Sequence, residues 1–177
     1  MFVSYLPAGG RVQLGWKEAR PELEGRLFFA AESLTQATVS PGLLRQTSLM
    51  ECRVMQGELR RLTLLIEGEG EVTRVQGEQI LSWNVAAPTA TNGPRRLEIA
   101  FNQPQRDLFG LLIQIQQPLG AFPQTVSAPQ LQPEGATRFA GHVRVVNDGA
   151  VRHEVLRADG LSQISPEQFP MTDTFKA

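Results

Sequence analysis

RRLEIAFNQPQRDLFGLLIQIQQP, residues 95–118, holds the cleanest alternation in the chain: Leu97, Ile99 and Phe101 share one parity, Arg96, Glu98 and Asn102 the other. Successive side chains of an extended strand point to opposite faces, so this run reads as a strand with one buried and one wet face. Residues 108–117 read as a second strand across Gln103-Pro104-Gln105, and the short link predicts that the two lie side by side as antiparallel neighbours. The turn signal Asn92-Gly93-Pro94 leads into the pair.

The same punctuation recurs on both sides. Towards the amino terminus, residues 11–16 alternate Val12 and Leu14 with Gln13 and Gly15 and predict a strand, and residues 18–25, broken at Pro21, predict a short helix or loop. Residues 26–39 predict a strand with a bend, closed by Ser40-Pro41-Gly42. Residues 43–56 follow, with Leu44, Met50, Cys52 and Val54 on one face. Gly57 precedes residues 59–67, where β-branched content and neighbouring glycine favour a strand over a helix and Leu62, Leu64 and Ile66 face one way. Gly68 and Gly70 flank a turn into residues 71–75, and Gly77 separates these from 79–85.

Towards the carboxyl terminus, residues 118–133 are richer in Pro and Gln and are expected to cross from one sheet to another. Residues 141–146 and 150–156 flank Asn147-Asp148-Gly149, the best hairpin signal in the chain. Roughly ten to twelve strands at this spacing predict an all-β fold, a large antiparallel β-sandwich or two packed β-subdomains. The chain reads as a single sandwich-type domain, and any subdomain boundary is expected at 120–133, where the composition shifts.

Composition narrows the function classes. A chain of 177 residues can bury a real core without staples. Lys+Arg 17 against Asp+Glu 18 gives a net charge of -1, and hence no electrostatic reason to expect nucleic acid or an anionic membrane as partner. The single Cys52 excludes an intramolecular disulfide and reads as a small core residue. No stretch approaches the ~18 apolar residues of a membrane-spanning helix. Residues 1–7 lack the basic and apolar regions of a secretory signal. The abrupt start and the polar tail 171–177 read as cut ends of a longer protein.

Motifs of known chemistry do not stand out. The chain has no G-x-S-x-G elbow, H-E-x-x-H helix or phosphate-binding loop. His142, His153 and Glu154 could in principle hold a metal, but strand alternation points Glu154 away from His153, so cross-strand or surface histidines are the stronger reading. Glu67-Gly68-Glu69-Gly70-Glu71 reads as a charged turn before it reads as a calcium loop. No catalytic residue, metal or cofactor is nominated, and a hydrolase would need carboxylates assembled from distant strands. Trp16, Trp83 and Tyr5 could form a platform for sugar rings, although the alternation of Leu81, Trp83 and Val85 puts Trp83 on a core face. Phe28 and Phe29 are adjacent, so at least one is expected to face away from the core as an interaction surface.

The succession ECRVMQGELRRLTLLIEGEGEVTRVQGEQILSWNV (51–85) and RRLEIAFNQPQRDLFGLLIQIQQPLG (95–120), preceded by LPAGGRVQLGW (6–16), resembles a recurring β-rich segment of large bacterial envelope proteins. It is similar, more loosely, to β-domains that precede catalytic domains in some peptidases and act there as scaffolds. The first resemblance implies an extracytoplasmic, non-catalytic module of a membrane-associated parent protein, with neighbouring domains or other envelope proteins as partners. It brings no catalytic residues. The alternative is a carbohydrate-binding β-sandwich with a polysaccharide partner.

Overall fold

Nine strands and no α-helix are found within residues 26–88, 93–148 and 152–175, the residues that the computed structural model describes; the last of these stretches holds two short 3-10 turns and no strand. The strands are β1 (Phe28–Ser40), β2 (Leu43–Gln56), β3 (Leu59–Glu67), β4 (Glu71–Gly77), β5 (Ile80–Ala86), β6 (Arg95–Gln105), β7 (Leu108–Pro118), β8 (Gln130–Pro133) and β9 (Arg138–Asn147). Two sheets result, a five-stranded one in the order β4-β7-β2-β1-β9 and a four-stranded one in the order β5-β6-β3-β8. The protein is all-β, with two packed sheets like a sandwich. The expectations for residues 11–16 and 18–25, and Gly149 of the expected turn, lie outside the described residues.

Alternation decides which side of each strand is buried. Leu97, Ile99 and Phe101 of β6, Leu62, Leu64 and Ile66 of β3, Met50, Cys52 and Val54 of β2, and Phe109, Leu111, Ile113 and Ile115 of β7 form one core. A register shift between Leu59 and Arg61 puts Leu59 into the same core and leaves Arg60 and Arg61 exposed. Further along the inner face of β1 and β2 the lining turns polar, and Thr35 and Ser48 satisfy each other through a 3.0 Å hydroxyl contact.

β6 and β7 are not neighbours in a sheet, contrary to the expectation from their short link. β6 pairs with β3 and β5, and β7 with β2 and β4. Each has an apolar face, and placing them in opposite sheets turns those faces towards each other across one core. Phe101 and Phe109 then meet edge to face with ring centroids 5.2 Å apart. The chain crosses between sheets at most of its connections, including residues 119–129 between β7 and β8. Only β1–β2 and β5–β6 join successive strands within one sheet.

The final strand is also a correction. Of the hairpin expected with residues 150–156, the described part is not in a strand, as residues 152–158 show, and β9 runs parallel to β1 from Ala30↔Arg138 to Val39↔Asn147. The cause is the crossing from β8, which delivers the chain to the end of the sheet where β1 begins. There the backbone N–H and hydroxyl of Thr137 both donate to the Phe29 carbonyl at 2.8 Å. The outer face of β9 is covered by the carboxyl-terminal segment. Arg144 donates to Gln36 Oε1 and, at 2.9 Å, to the Phe175 carbonyl, and its guanidinium stands 4.9 Å from the centre of the Phe169 ring.

Cys52 is fully buried, as expected, and burial followed by the nearby Glu51 charge pushes its thiol up to about 12. In the unfolded chain the thiol ionises at its ordinary value. Between that value and about 12 the folded state therefore holds the proton that the unfolded state has lost, and stability falls as pH rises. We expect Cys52 to resist a thiol reagent at pH 8 until urea unfolds the protein, and Cys52→Ala to flatten part of the alkaline loss of stability. Rapid labelling of the native chain would contradict the burial.

Candidate functional site

Strands β4 and β5 are the outermost strands of their sheets on the same side of the sandwich. The turn at Glu78 and Gln79 joins them, with Gln79 at φ 62°, the left-handed region that a residue other than glycine seldom adopts. Gly77 allows the end of β4 to close against β7. A Cβ there would stand 2.7 Å from a Leu111 methyl and 2.8 Å from the Gly110 carbonyl oxygen. Between the strands lies an open groove of about 430 Å³, lined by Val75 to Gly77 of β4 and Ile80 to Trp83 of β5.

Trp83 pairs with Ile99 and Val85 with Leu97, so both point to the inner side of the sheet, the face that alternation assigns them. Position at the rim decides the rest: no strand lies beyond β5 among the described residues, and Trp83 is 37% exposed at the lip of the groove. The register shift between Ile80 and Ser82 leaves Leu81 as the extra residue of a bulge, 66% exposed. An indole and a leucine thus stand beside a strand edge that is unpaired among the described residues. Such an edge offers backbone donors and acceptors to another extended chain. Sequence reasoning singled out Trp83 but not Leu81, whose exposure depends on the bulge.

The other residues singled out by the sequence are placed as follows. Tyr5 and Trp16 lie outside the described residues, so the three-residue aromatic platform is represented here by Trp83 alone. Phe29 is enclosed in the core and offers no interaction surface, a correction to the pairing of Phe28 with Phe29. Its inward parity on β1 is the reason. Phe28 is half-buried on the opposite face, with the Arg26 guanidinium 5.9 Å from its ring centre.

His142 is exposed on β9 and meets Phe169 edge to face at 6.4 Å, while His153 and Glu154 lie in irregular chain. Among the described residues no three His, Cys, Asp or Glu side chains gather as metal ligands would. In the glutamate-rich turn the carbonyls of Gly68 and Gly70 accept hydrogen bonds from the Arg95 guanidinium, at 3.1 and 2.6 Å, which makes it a turn closed by an arginine. Strand register does set Glu32 opposite Glu51, both exposed on the outer face of the five-stranded sheet. Glu58 is engaged by Arg106 and Arg60; the hydrogen bond from Arg106, aided by the charges of both, holds its carboxyl below the usual range.

No family model matches the chain, and no curated protein matches it. Among solved structures, the chain is similar to a mutant M1 zinc metallopeptidase from Deinococcus radiodurans bound to a Tyr-Ser-Ala substrate, at 14% identity and a TM-score of 0.36. The match covers 57% of this chain and 22% of that one, so the chain corresponds to a minor part of that protein's length. It is a distant structural match of a β-rich domain to part of a larger enzyme, and assigns no family.

Proposed function

We propose that this domain is a non-catalytic interaction module of a larger bacterial cell-envelope protein, and that it works through the β5 edge. The observation that carries the reading is the exposure of Leu81 and Trp83 beside an open groove of mixed polar and apolar lining, on a strand edge that no other strand covers among the described residues. Protein recognition by strand addition combines those two elements, main-chain hydrogen bonds for affinity and side-chain pockets for selectivity. Aromatic side chains are frequent anchors of binding free energy. The envelope setting rests on the resemblance of the strand succession to β-rich segments of such proteins.

The test is photo-crosslinking from position 81 in cells that make the protein, with position 98 on the wet face of β6 as control. An envelope protein or neighbouring domain joined from 81 and not from 98, and lost when Trp83→Ala is added, is the expected result. Equal adducts from both positions, or adducts with cytosolic proteins alone, overturn it.

Carbohydrate binding is the second reading, favoured by the same exposed indole at a groove. In a Trp16→Phe chain, fluorescence reports on Trp83 alone. Protection of that emission from iodide by one soluble polysaccharide supports sugar binding and sinks the protein-docking reading. Indifference to every polysaccharide leaves strand addition as the use of the edge.

A further inference from the structure

The inner face of the five-stranded sheet is apolar where Met50, Cys52, Phe109 and Leu111 sit and turns polar towards the start of β2. There Ser33 and Thr35 of β1, Gln46 and Ser48 of β2, and Gln117 of β7 are buried, Gln46 at 1% and Gln117 at 5% exposure. Their parity is that of the core residues, so they point between the sheets. Register brings the two glutamines close. Leu44 lies opposite Gln117 and Gln46 opposite Ile115, which makes Gln46 and Gln117 diagonal neighbours on adjacent strands, about 7–8 Å apart. The nitrogen of each amide is engaged. Gln46 Nε2 donates to Ser48 Oγ at 3.4 Å, and that hydroxyl is in 3.0 Å contact with Thr35 Oγ1; Gln117 Nε2 donates to Glu69 Oε2 at 3.4 Å. A carboxylate only accepts, so this contact fixes the Gln117 amide with its oxygen turned inward. The oxygens are different: Gln46 Oε1 and Gln117 Oε1 are both buried and accept no hydrogen bond from any described group. An acceptor buried in that condition costs free energy unless something donates to it.

We propose that a buried water molecule bridges Gln46 Oε1 and Gln117 Oε1, at a site inside the sandwich that joins β2 to β7 through their side chains. Two acceptors facing one interior call for a neutral molecule with two hydrogens to donate, and water has them. A cation fits the same oxygens less well. No carboxylate is among the buried polar residues, and Glu69, which holds Gln117, is exposed. A charge taken out of water against neutral ligands alone is the costlier arrangement. Water also serves either orientation of the Gln46 amide, because it accepts as well as donates, whereas a cation serves only one. The bridge adds a side-chain tie to the β2–β7 ladder where the core lining is polar. It shares no residue with the groove beside β5, so the inference stands apart from the proposed function.

The experiment is oxygen-17 magnetic relaxation dispersion on the full chain in enriched water, which detects water held far longer than in bulk and is blind to hydroxyl protons. The unaltered chain is expected to show a dispersion that loses amplitude when Gln46→Met and Gln117→Met are combined. These replacements are close in size to glutamine and carry no oxygen. Equal amplitude in the two folded chains overturns the proposal. A crystal structure of the unaltered chain tests it without any variant, the expected result being a water oxygen about 2.7–3.2 Å from both Oε1 atoms. A protein N–H or O–H donating to either oxygen in water's place overturns it. So does a urea midpoint that rises with calcium chloride and not with choline chloride at equal ionic strength, with oxygen ligands at ~2.3–2.6 Å in the crystal, because that result assigns the site to a cation.

Discussion

Phe29→Ala is expected to lower the unfolding free energy by about 3–5 kcal/mol, the usual cost of deleting a fully buried phenylalanine. The neighbouring Phe28→Ala is expected to cost about 1 kcal/mol, mainly a weakened contact with Arg26. The two residues are chemically identical and adjacent, so the difference isolates parity on β1. Phe29 points into the core with Ala31, Met50, Cys52 and Val54, and the register pairs it with Val54. Removing its ring leaves a cavity between sheets that interdigitating neighbours fill only in part. A typical domain of this kind is stable by about 5–15 kcal/mol, so the larger loss is a substantial fraction of the whole. Urea unfolding of both variants reads the difference as separate midpoints with a common slope. Equal midpoints would mean that β1 is not seated with this face inward.

Gly141→Ala is expected to cost about 1–3 kcal/mol, the range for forcing an extra group into a packed site. A Cβ at Gly141 would stand 2.3 Å from the Ser33 hydroxyl oxygen and 2.6 Å from the Ser33 carbonyl oxygen. The hydroxyl can rotate away, but the carbonyl belongs to the backbone of β1 and moves only with the strand. The loss therefore falls on the β1–β9 pairing, and the amides of β9 should exchange hydrogen faster than those of β6 and β7. Gly110→Ala is the control. A Cβ there meets nothing within 4 Å, and alanine in a strand gains about 0.5–1 kcal/mol over glycine from the lower entropy of the unfolded chain. If both substitutions stabilise, β9 does not lie against β1 at this spacing.

Gly141 and the apolar residues beside it define different consequences of the same strand. On its pairing edge β9 needs a glycine to approach β1, and on its inner face it carries valines and a phenylalanine that the opposing sheet does not reach. The β5 edge at the other end of the sandwich shows apolar side chains exposed by a bulge and by having no further strand beside them among the described residues.

Local alternation specified the wet and dry sides of the central strands, while the strand expected within 150–156 is absent among its described residues and β8 lies in a stretch read only as a crossing. The parity of Leu97, Ile99 and Phe101, of Leu62, Leu64 and Ile66, and of Met50, Cys52 and Val54 predicts the buried set directly, because a strand has period two wherever it is placed. Glycines and prolines likewise marked where strands end. Partnership between strands was decided by the tertiary structure. The short link from β6 to β7 is compatible with a hairpin or with a crossing, and facing their apolar sides across one core selects the crossing. The parallel pairing of β9 with β1 joins residues more than a hundred positions apart, and no local pattern encodes it. For the candidate site, alternation correctly placed Trp83 on the inner face, yet its exposure follows from β5 being the last strand of its sheet. A sequence states which face of a strand avoids water; only the assembled sheets determine whether anything stands there to cover it.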